Sequence, residues 1–408
     1  MPRMSIAADN TPDATLSACP SLRPVPTPLH SGIGVGTFIL LNTLAALFPL
    51  MAGCLLFGWR AVGVTTVVVF TSILAGMIWR HVGRRGAQVK IGHCVWLGIL
   101  LSLMLPAHLF TTSTIDGQIP WPILPGGAIA CITLSWLLSG LGAERVSPPV
   151  ATILILFVLF HTILTPRYVL WPDRVGRGDL LRVDTSAQPP IFKDPWIMSP
   201  PTVAGPDALQ REPVADKLIA YTSAQQRPDR ASITLEMLIR DEMPPLEDLI
   251  IGGQVGTIGN ASAVGVIIGG LFLLYRGMLD FRLPLFGVIA AMITLLILPI
   301  PVLITDQGPH WHWLAFREHY LGWPTAITFV NYEIMASPLL LTLFFLANSP
   351  AIRPITRRGR TVFSLSLGAL AAICQLYFSV AIGPYIALLV IGLLTPMLDR
   401  TLRPKTLV

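Results

Sequence analysis

Asp248-Leu-Ile-Ile-Gly-Gly-Gln-Val-Gly-Thr-Ile-Gly-Asn-Ala-Ser262 leads into an apolar run that reaches Tyr275 and stops at Arg276. Gly252, Gly253, Gly256, Gly259 and Gly265 fall within fourteen residues at the mouth of what reads as a membrane helix. Glycine carries no Cβ, so its backbone can leave the helix and approach another helix or a ligand closely. In lipid, irregular backbone survives only where protein or a polar cavity satisfies its N–H and C=O groups. The stretch is therefore a tight helix-packing seam or one wall of a binding site.

The rest of the 408-residue chain agrees with a membrane setting. It is 53% hydrophobic and only 12% charged, with a mean hydropathy of +0.67, far from the composition of a soluble domain. The formal net charge of +6 carries less information than where the cations lie, and no nucleic-acid partner is expected. Five cysteines (Cys19, Cys54, Cys94, Cys131, Cys374) stand far apart without a Cys-x-x-Cys pair. They read as free thiols rather than cluster or zinc ligands.

Apolar runs place ten spans at about 34–59, 61–79, 91–110, 123–141, 150–164, 262–275, 283–304, 328–347, 362–382 and 384–398. Most approach the roughly 20 residues a bilayer requires. The fold class is thus an all-α polytopic membrane protein of two five-helix halves. The division is a Pro/Ser/Thr-rich leader at 1–31, a first membrane half at 32–166, a Pro-rich segment at 167–247 and a second half at 248–408. Placing the N-terminus in the cytoplasm puts fourteen cations, from Arg80 to Lys405, on the inner side, and leaves only Arg60 and Arg317 in short outer loops. That asymmetry predicts cytoplasmic termini and an extracytoplasmic 167–247 segment. A short similarity links the openings of spans five and six: Gly140-Leu-Gly142 with Ser147, and Gly256-Thr-Ile-Gly259 with Ser262. Interrupted helices in repeated halves are a mark of a site at their interface.

The run from Asp248 through Gly256-Thr-Ile-Gly259, Leu274-Tyr-Arg276 and Phe281-Arg-Leu-Pro284 resembles a family of membrane subunits from two related bacterial complexes. These are the D membrane component of the Rnf electron-transport complex and the B membrane component of the sodium-translocating NADH:quinone reductase. Ser139-Gly-Leu-Gly142 with Ser147-Pro148, Ala347-Asn-Ser-Pro350 with Arg358-Gly-Arg360, and Pro396-Met-Leu-Asp399 are similar to other turns of that family. The resemblance covers about 120–408. It departs at Asn260 and Ala261, where the family usually has Glu and Thr, and at Ser349, where it has Asp.

The resemblance implies FMN joined through a phosphodiester to a threonine of the outer segment, with riboflavin as a further candidate cofactor. Thr222, in Asp216-Lys-Leu-Ile-Ala-Tyr-Thr222, keeps the family's aspartate-to-threonine separation without its Ser-Gly-Ala, and Thr234 is the second candidate. Gly256, Thr257, Gly259, Asn260 and Ser262 are the candidate flavin-facing wall, through backbone N–H groups and side-chain hydrogen bonds. Read from the residues alone, Thr257, Asn260 and Ser262 are equally suited to helix capping and small-residue packing.

The implied function is a flavin-binding electron-transfer subunit in the bacterial inner membrane, with lipid around it. It passes electrons between an outer FMN-binding subunit and quinone or neighbouring subunits, and ion transport is the process such a complex would couple to them. The alternatives are a channel or secondary transporter on the same scaffold, and a degenerate paralogue without cofactor. No nucleotide fingerprint or catalytic constellation is present, so turnover by the chain alone is not expected. His310-Trp-His-Trp313 reads as interfacial anchoring. Glu333 is the best acidic candidate inside a span, with an interfacial pairing to Arg317 as its ordinary alternative.

Overall fold

The computed structural model describes residues 34–82, 91–110, 120–140, 146–164, 218, 243, 246–252, 256–303, 309–313 and 323–402. The leader expected at 1–31 and nearly all of the expected 167–247 segment lie outside these residues. The described chain opens with α1 (Val35–Phe57), α2 (Trp59–Val82) and α3 (Ile91–Met104). A 3-10 turn (Ala107–Leu109) follows, then α4 (Ile123–Gly140), α5 (Pro148–Leu159) and the short α6 (His161–Leu164). Further along the chain come α7 (Leu246–Ile251), a 3-10 turn (Ile258–Asn260), α8 (Ala263–Tyr275) and α9 (Arg282–Ile297). The last helices are α10 (Trp323–Ala336), α11 (Leu339–Leu341) continuing into a π turn (Thr342–Leu346), α12 (Arg357–Tyr377) and α13 (Gly383–Thr401).

α1, α2, α12 and α13 are each long and apolar enough to cross a bilayer, and α10 with its bent continuation makes a fifth such span. α3, α4, α5, α8 and α9 are apolar but shorter. The chain is a multi-pass membrane protein. Thr65, Thr152, Thr294 and Thr342 turn their hydroxyls onto carbonyls four residues back at 2.7–2.9 Å, which satisfies polar atoms inside apolar helices.

One element departs from the helical expectation. β1 (Pro299–Leu303) pairs antiparallel with β2 (Pro309–Trp313), Pro299 opposite Trp313 and Pro301 opposite Trp311. The helix expected to run to 304 therefore stops at Ile297. Leu298 already has extended backbone, as the residue before Pro299 must, and two prolines cannot continue the helix. Tyr377 of α12 donates to the Pro299 carbonyl at 2.9 Å and ties the hairpin to the bundle.

The helices are sorted by where glycine lets them approach, the rule for packing without a hydrophobic drive between helices. Pro49 inside α1 has no N–H, so the Ala45 carbonyl loses its usual donor four residues on. Gly269 of α8 lies against that carbonyl, and a Cβ there would sit 2.6 Å from its oxygen. Gly265, one turn earlier, meets Pro49 and Ala52. α9 and α12 cross at Gly287 and Gly368, where a Cβ on Gly368 would run into the Gly287 carbonyl, and Ser364 donates to Leu283. α8 ends in a Schellman turn: Gly277 takes φ +69°, and the Met278 and Gly277 N–H groups reach the Leu273 and Leu274 carbonyls at 2.9 and 3.0 Å.

The pairing scheme recurs along the chain. α2 packs on α3 and α4, α4 on α5, and α3 on α1 and α5. Likewise α9 packs on α10 and α12, α12 on α13, and the broken α10–α11 span on α8 and α13. α1 against α8 joins the two sets. The repeat extends to a detail: α3 and α10 are both 14 residues long, and each is followed by one residue, a proline (Pro106, Pro338) and a three-residue helix. The repeat in packing thus couples α3 with α10, not the openings of spans five and six. Those openings also differ locally: Ser262 caps its helix by a side-chain hydrogen bond, whereas Ser147 makes none.

Candidate functional site

The Gly-rich stretch lies where the two broken helices meet. α7 stops at Ile251, and Gly252 turns the chain with φ +124°, a conformation that excludes most side chains. A Cβ at Gly252 would also lie 2.5 Å from Leu56 of α1. Ser262 closes the loop from its other end. Its hydroxyl donates to the Ile251 carbonyl at 2.6 Å and accepts from the Gly265 N–H at 3.4 Å, so one side chain ends α7 and caps α8.

Between these ends the loop touches both breaks. The Ile258 N–H donates to the Leu105 carbonyl at 3.1 Å, and Thr257 forms an antiparallel bridge with Pro106. This is the break after α3. Asn260 Nδ2 donates to the Ala336 carbonyl at 3.0 Å, on the last residue of α10. The two parts of that span, Ala326–Ala336 and Leu339–Leu346, are bent by 61°. Gly259 sits between the breaks: a Cβ would lie 2.8 Å from the Leu103 carbonyl and 3.2 Å from Leu341. Ile258 is fully buried and presses its carbonyl against Gly53 of α1.

Of the candidate wall residues, Gly259, Asn260 and Ser262 are thus engaged in packing, bridging and capping. Thr257 and Gly256 are placed otherwise. Thr257 Oγ1 is buried with no hydrogen-bond partner among the described residues. Among the described residues, a Cβ at Gly256 would meet nothing nearer than Asn260 Nδ2, at 3.9 Å. Among the described residues, these two positions are the ones of the wall whose polar or backbone groups are not seen engaged. Gly253, Thr222 and Thr234 lie outside the described residues. Leu218, four residues before Thr222, is fully buried and belongs to the apolar core, as does Met243.

Two further places carry polar or open features. Side chains far apart in sequence gather beyond the end of α8: Arg360 pairs with Asp280 at 3.0 Å, and Arg353 donates to Asn348 Oδ1 at 3.2 Å and to the Met278 carbonyl at 3.4 Å. The Ile355 N–H donates to Asp399 at 3.1 Å. Burial pushes the Asp280 carboxyl up, but the hydrogen bonds and charges of Arg360 and Arg282 outweigh it and hold it below the usual carboxylate value. The second place is an apolar groove of about 700 Å³ along α4 and α5, with Gly126, Gly127 and Leu156 on its wall. At one end Trp79 stacks on Trp136, ring centroids 4.5 Å apart.

Among the described residues no group of three or more His, Cys, Asp or Glu side chains is arranged to hold a metal ion. His108 is buried, with Nε2 2.8 Å from the Ile163 carbonyl, and joins the end of the α3 span to α6. Sequence reasoning missed that Pro106 and Pro338 end helices at equivalent places, although a residue before proline is held out of the α region. Glu333, the acidic candidate inside a span, is fully buried; Arg317, its alternative partner, lies outside the described residues.

Residues 26–408 match the NQR2, RnfD, RnfE family. Among curated relatives, the D component of the Na(+)-translocating ferredoxin:NAD(+) oxidoreductase complex of Acetobacterium woodii is 23% identical over 366 residues, covering 89% of this chain and 87% of the relative. The D component of the ion-translocating oxidoreductase complex of Halorhodospira halophila is 23% identical over 357 residues, 86% of each chain. The component of the same description from Stutzerimonas stutzeri is 25% identical over 373 residues, 90% of each. With the match running through both sets of helices and the loop between the two breaks, this chain belongs to the NQR2, RnfD, RnfE family.

Proposed function

We propose that the chain is a flavin-carrying membrane subunit of an Rnf-like, ion-translocating redox complex. The observation that carries this reading is the family match over 26–408, together with relatives that are D components of ion-translocating oxidoreductase complexes. The seat is the bacterial inner membrane, with ten spans in two five-helix halves and cytoplasmic termini. The recurring pairing of helices and the distribution of Lys and Arg along the sequence support that arrangement.

In this reading FMN is joined to Thr222 of the outer segment, with Thr234 as the second position, and a riboflavin is a further candidate. A bound flavin supplies the electron transfer, and the protein supplies orientation and exclusion of water. Thr257 Oγ1 is the unpartnered hydroxyl that fits a flavin carbonyl or ribityl oxygen. Gly256 carries no Cβ, which favours close approach to its backbone. Partners are the other subunits of the complex, including an extracytoplasmic FMN-binding subunit. The apolar groove of α4 and α5 suits a lipid chain or the tail of a quinone.

The test is in-gel flavin fluorescence of the denatured full-length protein, made in cells that co-express a flavin transferase. Fluorescence is expected in the wild type and in Thr234→Val, and is lost in Thr222→Val. A dark wild-type band refutes covalent flavin on this chain.

A further inference from the structure

Glu333 stands three residues before α10 stops at Ala336. It is 0% exposed, and neither carboxylate oxygen has a hydrogen-bond partner among the described residues. The other acids whose side chains are described are matched: Asp280 by Arg360, and Asp399 by the Ile355 N–H. An ionised carboxylate in an apolar interior needs a partner of opposite charge. Among the described residues, the helices packed most closely against α10 do not offer one. α11 and its π turn hold no ionisable residue, α7 carries Glu247 and Asp248, and α9 carries Arg282 at its first position. Arg282 is already committed to Asp280 and to the Phe281 ring. On α10 itself the other titratable side chain is Tyr332.

The helix that carries Glu333 ends three residues further on, at Ala336. A helix that ends inside a membrane protein leaves carbonyl oxygens at its C-terminus, and such half-helix ends coordinate Na⁺ or carry protons in transporters. Here Ala336 accepts from Asn260 at 3.0 Å and Ile334 from the Ser337 hydroxyl at 3.1 Å. A carbonyl oxygen has two lone pairs and can take a second partner.

We propose that Glu333, at the break of α10, is the site inside this subunit where a small monovalent cation, proton or sodium, is taken up and released. The exchange balances without redox change: the carboxylic acid gives up H⁺ as Na⁺ enters, leaving a neutral carboxylate–sodium pair. In a proton-only site the acid loses H⁺ to water on one side and regains it from the other. The proposal rests on the reading of the chain as part of an ion-translocating complex, but its test does not involve flavin.

The full-length protein in its membrane is treated with dicyclohexylcarbodiimide, which adds to protonated carboxyl groups in apolar surroundings, and the peptides are mapped by mass spectrometry. The adduct is expected on Glu333 and absent from Glu333→Gln. Sodium chloride, against choline chloride at equal ionic strength, slows the labelling several-fold if sodium is the ion. If the ion is the proton, raising the pH slows it and sodium does not. An unmodified Glu333 at every pH, or labelling that responds to neither ion, overturns the proposal. A dark Thr222 band leaves it standing.

Discussion

Replacing Gly269 by alanine loads the seam between α1 and α8 with a single methyl group. The new Cβ would lie 2.6 Å from the Ala45 carbonyl oxygen, 2.9 Å from Phe345 Cζ and 3.4 Å from Pro49 Cδ. The first of these is backbone in a helix, so relief requires α1 or α8 to shift. Overpacking of this kind costs about 1–3 kcal/mol, and exchanging glycine for alanine within a helix returns about 1 kcal/mol. The net expectation is a loss of about 0–2 kcal/mol. Gly126 of α4 provides the control, because a Cβ there meets nothing within 4 Å among the described residues and only the gain of about 1 kcal/mol applies. The two variants should therefore differ by the overpacking cost itself, about 1–3 kcal/mol. Thermal unfolding in detergent can be followed with a thiol-reactive fluorogenic dye, since Cys94, Cys131 and Cys374 are buried and free. At roughly 2–4 °C per kcal/mol for mid-sized domains, Gly269→Ala should melt several degrees below Gly126→Ala. Equal shifts in the same direction would refute the close approach of α8 to the Ala45 carbonyl.

Asn260→Ala leaves the Ala336 carbonyl without its donor inside the bundle and should cost about 1–3 kcal/mol, read as a lower Tm in the same assay. Asp280→Asn removes the charged partner of Arg360, a loss of about 1 kcal/mol or less for a pair near the surface. Because Asp280 is held below its ordinary value, its contribution is present above the unfolded-state pKa of about 3.9. It is lost as pH falls through the lower, folded-state value. Wild type and Asp280→Asn should therefore differ in Tm at neutral pH and converge in acid. A gap independent of pH would remove the ion pair as its cause.

The apolar runs made the helices legible, because a bilayer leaves the backbone few other forms. The dense glycines of 252–265 marked a place where backbones approach, and Gly252, Gly259 and Gly265 are all in close quarters. What those glycines face was not legible. The partner of Gly269 is a carbonyl released by Pro49, some 220 residues earlier in the sequence. Helix bounds failed where proline was read too lightly, at Pro106, Pro299 and Pro338. Glu333 could not be placed from sequence, since an acid near the end of a span is as easily interfacial as buried. The Asp280–Arg360 pair spans 80 positions, and no local pattern announces it. Within the loop, the small polar residues suited capping and ligand contact equally, and only the partners of Asn260 and Ser262 separated those uses from the buried hydroxyl of Thr257.

The two breaks are held from a single short segment, one by the Ile258 amide and the other by the Asn260 side chain. Only one residue separates those two grips. A displacement of Gly259 by a fraction of an ångström strains the ends of α3 and α10 together, in both sets of helices at once. The segment works as a common tether of both breaks, and one of its anchor points, Ala336, lies three residues beyond Glu333.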